Sequence, residues 1–427
     1  MQRRAFLQTL PHAALAGTAL LSGLVPVGRA AWAATGDART RDGKRLIVVF
    51  MRGAVDGLNV VAPYADPAYA RARPTLALAR PGQDGGALDL DGRFGLHPAL
   101  APLMPLWQGG RLGFVHASGS PDPTRSHFDA QDYMESGTPG RKATPDGWLN
   151  RLLGTLPGGG PQAAPTRGVS VGAVLPRIYA GPQPVASMAS GSGAGKPTLL
   201  DRPKVGDAFG QLYGGDDKLA RAYQQSLQAH KEVMASLDAA SLDREMQAAN
   251  NGAPLPAGFA DDAVRLATLM RRDAGVRLGF MAVGGWDTHA SQGAATGQLA
   301  GRLAPLGQGL AAMAERLGPL LDDTVVMVMS EFGRTARQNG NGGTDHGHGN
   351  VMWLLGGPVA GGRVHGEWPG LDDSALHDNR DLAVSTDFRQ VLAEVCAAHL
   401  GLPDARLAGL FPGFAWRGPA RQALIRA

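Results

Sequence analysis

Thr324-Val-Val-Met-Val-Met329 runs straight into Ser330-Glu331-Phe332-Gly333-Arg334-Thr335. Shortly after, Asp345-His346-Gly347-His348-Gly349-Asn350 leads into a second apolar run, Val351-Met-Trp-Leu-Leu355. Continuous apolar runs of this length, bounded by polar residues, suit strands buried on both faces. In a parallel α/β sheet, ligands gather just outside the carboxyl ends of the strands. Carboxylates, an arginine and two histidines therefore stand where a site is expected.

The same pattern recurs on either side of this stretch. Leu46-Ile-Val-Val-Phe-Met51 is a continuous apolar run, Arg111 to His116 a second, Val169 to Val174 a weaker third, and Ala274 to Val283 leads into Gly284-Gly285-Trp286-Asp287-Thr288-His289. Helical patterns lie between them over Pro98 to Gln108, His127 to Glu135, Gln292 to Leu317 and Asp387 to Leu400. Strands alternating with helices predict an α/β domain, a mostly parallel sheet with helices on both faces. Residues 205–272 differ, with helical patterns from Lys218 to about Gln247 and from Asp261 to Arg272, broken at Asn250-Asn251-Gly252. This reads as a helical insertion or lid on the sheet domain.

Composition narrows the classes further. A chain of 427 residues, 44% hydrophobic, has enough apolar material for one large core. The first 33 residues hold three arginines and no acid, and without them 38 basic residues face 37 acidic ones. In this near-neutral remainder nothing resembles the clustered basic face expected of a nucleic-acid binder, so no nucleic-acid partner is expected.

Arg3-Arg4-Ala5-Phe6-Leu7, an apolar stretch around Ala13 to Val27 and Ala31-Trp32-Ala33 read as a twin-arginine signal peptide over residues 1–33. Gly17, Gly23 and Pro26 interrupt the apolar stretch, which favours cleavage over a stable membrane span in the mature form. The translocation machinery is then a partner, and the protein is periplasmic or extracellular. The lone Cys396 sits in an apolar helical pattern and reads as core. Ser190-Gly-Ser-Gly-Ala-Gly-Lys196 imitates a phosphate loop but lacks its first glycine and places Pro197 at the hydroxyl position.

Each strong polar cluster follows an expected strand. These clusters contribute Arg52 and Asp56, then Thr124 and Ser126, Asp287 and His289, Glu331 and Arg334, and finally Asp345, His346 and His348. Carboxylates and imidazoles drawn from separate strand ends are what a divalent metal needs. Arginines beside them suit an anionic oxygen. Bland readings stand next to these. Asp56 before Gly57 can shape a turn, and Ser126 with Asp129 makes a helix cap. His97, His116, His365, His377 and His399 are scattered and read as structural or surface residues.

Arg52-Gly-Ala-Val-Asp-Gly-Leu-Asn59, Pro123-Thr-Arg-Ser-His-Phe-Asp-Ala-Gln131, Gly285-Trp-Asp-Thr-His289, Ser330–Thr335 and Asp345–Asn350 occur in an order that resembles the family called domain of unknown function 1501. The family's twin-arginine-exported proteins are grouped with alkaline phosphatases and sulfatases. The resemblance spans roughly residues 44–415. It implies an alkaline-phosphatase-like three-layer sandwich over that span, with the insertion at 205–272.

The resemblance also implies roles. Asp56 would be the first-strand metal aspartate, and Ser126, or Thr124, the nucleophile. Asp287 with His289 would hold one metal, and His346 or His348 would complete the set. Glu331 falls where those enzymes carry an Asp-His pair, with Phe332 in place of the histidine, which implies an oxygen-rich site for magnesium, calcium or manganese more than zinc. Cys396 is no sulfatase nucleophile. The expected function is a metal-dependent hydrolase of phosphate or related esters with a small anionic substrate. A non-catalytic exported binding or assembly protein keeping the fold is the alternative.

Overall fold

The computed structural model describes residues 43–172, 174–191, 241–419 and 423–426. The proposed signal at 1–33, most of Lys218–Gln247 and most of the false phosphate loop lie outside them.

Among the described residues nine strands build the main sheet, two of them only two residues long; the longer seven are β1 (Arg45–Met51), β2 (Leu112–Gly119), β3 (Gly168–Val171), β4 (Ala186–Met188), β5 (Leu278–Val283), β6 (Thr324–Ser330) and β7 (Asn350–Leu355). Their order is β2-β7-β6-β1-β5-β3-β4, and the short strands Val364–His365 and Thr386–Asp387 flank β2. Pairing is parallel throughout except at β7, which runs antiparallel to both β2 and β6.

The period of two in β1 divides the interior. Ile47, Val49 and Met51 pack on one face with the helices Phe259–Arg272 and Gln298–Leu317. Leu46, Val48 and Phe50 pack on the other with Trp148–Thr155, Phe388–Glu394 and Phe411. Every β1 residue is buried, so the strand reads as a continuous apolar run. The result is three layers, helices–sheet–helices. In Gln298–Leu317 the fully buried Leu299, Leu303, Leu306, Leu310 and Leu317 recur at helical spacing, each worth about 2 kcal/mol on burial. Met352, Trp353 and Cys396 lie in the core as expected.

Boundaries moved where turn chemistry intervened. The strand expected from Ala274 begins at Leu278, because Asp273 accepts the Gly275 and Val276 amides in a turn. The helix expected from Gln292 begins at Gln298. Gly293 has φ +78°, and a Cβ there would lie 2.0 Å from the Thr296 carbonyl. The third strand stops at Val171, and Pro98–Leu103 winds as a 3₁₀ helix. Asp387–Leu400 splits into an α-helix over Phe388–Glu394 and a π-turn over Val395–His399. The helix Trp148–Thr155 was not anticipated. From the insertion, Ser241–Asn250 and Phe259–Arg272 are helical, and Asn251 breaks the chain at φ +45°.

Candidate metal centre

The carboxyl ends of β1, β2, β5 and β6 and the loop entering β7 deliver their side chains to one place. Close approach requires Gly53, whose φ is +114° and whose added Cβ would sit 2.9 Å from the Asp287 amide nitrogen. There, Nε2 of His346 lies 3.0 Å from Nε2 of His127, 3.0 Å from Nε2 of His289 and 3.2 Å from Oδ1 of Asp287. His289 Nε2 is 3.0 Å from the same carboxylate oxygen, and His127 Nε2 is 3.6 Å from the other. One donor atom each from His127, Asp287 and His346 falls within 4.8 Å of the others.

The far nitrogen of each ring is engaged by an acceptor. Nδ1 of His127 donates to Oε1 of Glu331 at 2.8 Å, Nδ1 of His289 to Oδ1 of Asp345 at 3.3 Å, and Nδ1 of His346 to the Arg125 carbonyl at 3.0 Å. A carbonyl or ionised carboxylate only accepts, so each neutral ring carries its proton on Nδ1 and turns an Nε2 lone pair inward. Lone pairs on His127 and His289, each 3.0 Å from that of His346 and beside a carboxylate, repel it unless a proton or cation lies among them. This donor set fits a divalent ion, with Glu331, Asp345 and the Arg125 carbonyl orienting the ligands from outside.

Burial works against charge on His127, but the facing Asp287 and Glu331 carboxylates raise it to about 9. His289 is also raised, chiefly by Asp287. Burial pushes His346 down. Asp287 is held far below the usual carboxylate range, its burial outweighed by three imidazoles and Arg334. Glu331, against its burial, is lowered to about 2 by His127 and Gln131.

The remaining sequence candidates go elsewhere. Arg334 directs its N–H groups to the carbonyls of Gly53, Ala54, Trp286 and Thr344 and to Asp287 at 2.6 Å, so it braces a ligand. Arg52 is buried and pairs with Glu135 and Gln131 at 2.6 Å each. Asp56 is fully buried, and its Oδ2 accepts from Arg73 and Gln292 at 2.6 Å each. Asp345 stands behind His289. His348 stacks on His377 with ring centroids 4.6 Å apart, and burial lowers it to about 4. The exposed Ser126 caps the helix His127–Ser136 by accepting the Asp129 amide, and the Thr124 hydroxyl accepts the Ser126 amide at 3.3 Å.

Glu331 was expected to lack a neighbouring imidazole. His127, 204 residues earlier in the chain, supplies one, so the inward donors are richer in nitrogen than the sequence suggested. Phe332 covers the rings of His127 and His346 at 4.9 and 5.2 Å. The signal for His127 was its place as the first helical residue after a cap at a strand end.

The family model described as "Protein of unknown function (DUF1501)" matches residues 94–411. Among solved structures the chain is similar to Ps i-CgsB in complex with k-i-k-neocarrahexaose, at 12% identity over 85% of this chain and 74% of that one, with a TM-score of 0.33. It is similar to the PsFucS1 sulfatase from Pseudoalteromonas sp., at 12% identity over 86% and 70%, with a TM-score of 0.37. It is also similar to the lipoteichoic acid synthase LtaP from Listeria monocytogenes, at 10% identity over 77% and 67%, with a TM-score of 0.26. At these scores the likenesses carry no argument of their own, and the architecture rests on the strand order. No curated protein matches.

Proposed function

Because the chain belongs to the DUF1501 family, whose description names no activity, we propose its function from the site itself: an exported metal-dependent hydrolase-like protein acting on phosphate or related esters. The convergence of three Nε2 atoms on Asp287 supports this most directly. His127, His289, His346 and Asp287 would hold the ion. Three imidazoles and one carboxylate suit zinc or manganese better than magnesium or calcium. When bound, such an ion supplies Lewis-acid activation of an ester oxygen and of an attacking hydroxyl or water.

The chain's own residues do the rest. Glu331, Asp345 and the Arg125 carbonyl keep each ring in the ligating tautomer. Arg334 holds Asp287 in place. Ser126 accepts the Asp129 amide in its cap and so keeps its own hydroxyl proton free to give. It stands next to His127 and is our choice of nucleophile, with Thr124 second. Export rests on Arg3-Arg4, and among the described residues no helix is long and apolar enough to cross a membrane.

A non-catalytic binding protein is the second reading. It is favoured by the commitment of Arg52 and Arg334 to partners within the protein, which leaves neither as an oxyanion clamp. Elemental analysis of protein purified from the periplasm, followed by a phosphoester panel with and without Ser126→Ala, separates the readings. Bound zinc or manganese with turnover lost in S126A supports the hydrolase. No bound metal and no rescue by added metal rejects it.

A further inference from the structure

Gln131 lies one helical turn beyond His127 and is 2% exposed. Its Nε2 donates to Oε1 of Glu331 at 3.0 Å and to the Ala249 carbonyl at 2.6 Å. Its Oε1 accepts from Nη1 of Arg52 at 2.6 Å and Nδ2 of Asn251 at 3.3 Å. All four hydrogen-bonding capacities of the amide are used. Its orientation is unambiguous, since a guanidinium only donates and a carbonyl only accepts. The turn that meets Gln131 also reaches the opposite wall of the centre. Oδ1 of Asn250 accepts the Gly285 amide at 2.5 Å, two residues before Asp287.

We propose that the turn Ala249–Asn251 is a positioning latch: through Gln131 and Glu331 it sets the Nε2 of His127, and through Gly285 it sets Asp287, so the helix Ser241–Asn250 fixes the spacing of the metal donors without supplying one. The inference rests on the metal-centre reading above. Its physical basis is that Glu331 orients His127 only while its own oxygens are held. Oε1 has three donors, from Gly53, Gln131 and His127, and Oε2 has the Ser330 hydroxyl. Removing the Gln131 amide takes one of the three donors from Oε1 and loosens the carboxylate that orients the His127 imidazole. Losing an outer partner of this kind costs about 10–100-fold in metal affinity.

The test is a cobalt(II) titration of the full chain after chelator stripping, read by the visible ligand-field bands and by the dissociation constant. Gln131→Glu keeps the volume and the Arg52 contact but sets an acceptor against Glu331. We expect it to weaken cobalt binding about 10–100-fold and shift the bands, which a packing role alone would not do. Asn250→Ala should weaken binding and shift the bands through the Asp287 side. If wild type binds cobalt while both variants match its affinity and bands, the latch is wrong and the metal centre stands. If wild type binds no cobalt, both ideas fall. Should Q131E fail to fold, Asn250→Ala paired with Asn251→Ala, the latter at an exposed position, decides by the same readout.

Discussion

An imidazole that gives its Nδ1 proton to a buried acceptor has one nitrogen left to offer, and this determines what each substitution at the centre does. His127→Ala and His346→Ala each remove an inward lone pair, so each should lower metal affinity by more than about 100-fold, beyond the loss of an outer partner. His348→Ala should leave metal content unchanged, because that ring packs on His377. Metal analysis of the three variants checks the assignment, and a metal-free H348A would sink it. Asp287, His289 and His346 were legible in the sequence as acids and histidines behind apolar runs. His127 was not singled out, since a ring after a capping serine looks like any first-turn residue until Glu331 is brought across the sheet. Whether His346 or His348 turns inward depends on a tertiary contact, the Arg125 carbonyl, and no local pattern carries that.

At the scale of elements, the loops after β1 and β5 touch backbone to backbone at Gly53. Gly53→Ala must strain a φ of +114° and push its Cβ against the Asp287 amide. The expected cost is about 1–3 kcal/mol, a fall of about 1–4 °C in Tm, together with weaker metal binding. Calorimetry giving a Tm equal to wild type would contradict it. The elements were readable because apolar period and length are strong signals, and the strands of the site appear where expected. Their ends were less readable, because residues such as Asp273 and Gly293 form turns by local hydrogen bonds and positive φ that an apolar count ignores. The reversal of β7 was also invisible, since a strand buried on both faces shows the same apolar run in either direction.

Across the whole molecule, neutral imidazoles are sealed away from the centre. His116 and His399 are buried, bond to the Val61 and Arg45 carbonyls, and are lowered by burial to about 4 each. A histidine whose folded pKa lies below its unfolded value near 6.5 takes up its proton in the unfolded chain first. Its contribution is therefore complete above about pH 6.5 and is lost as pH falls toward 4, by up to about 3 kcal/mol per residue. Urea unfolding of the chelated protein between pH 7 and pH 4 should show stability dropping with acid. His116→Gln should show a slope smaller by one proton, and an unchanged slope would remove His116 from the account.

The antiparallel course of β7 has one more consequence. Since β7 returns beside β6, with Trp353 opposite Val328, the chain leaves the sheet after Ser330 and re-enters at Asn350 on neighbouring positions of the same edge. Asn350 reaches back to the Phe332 carbonyl at 2.6 Å and ties the two ends together. Residues 331–349 are thus a cassette with adjacent entry and exit, carrying His346 together with the Glu331 that orients a ring from another helix. A segment so closed can be lengthened at its exposed tip, Gly340-Asn341, at little entropic cost, so a graft there could alter the rim of the centre while Glu331, His346 and the sheet beneath stay in place.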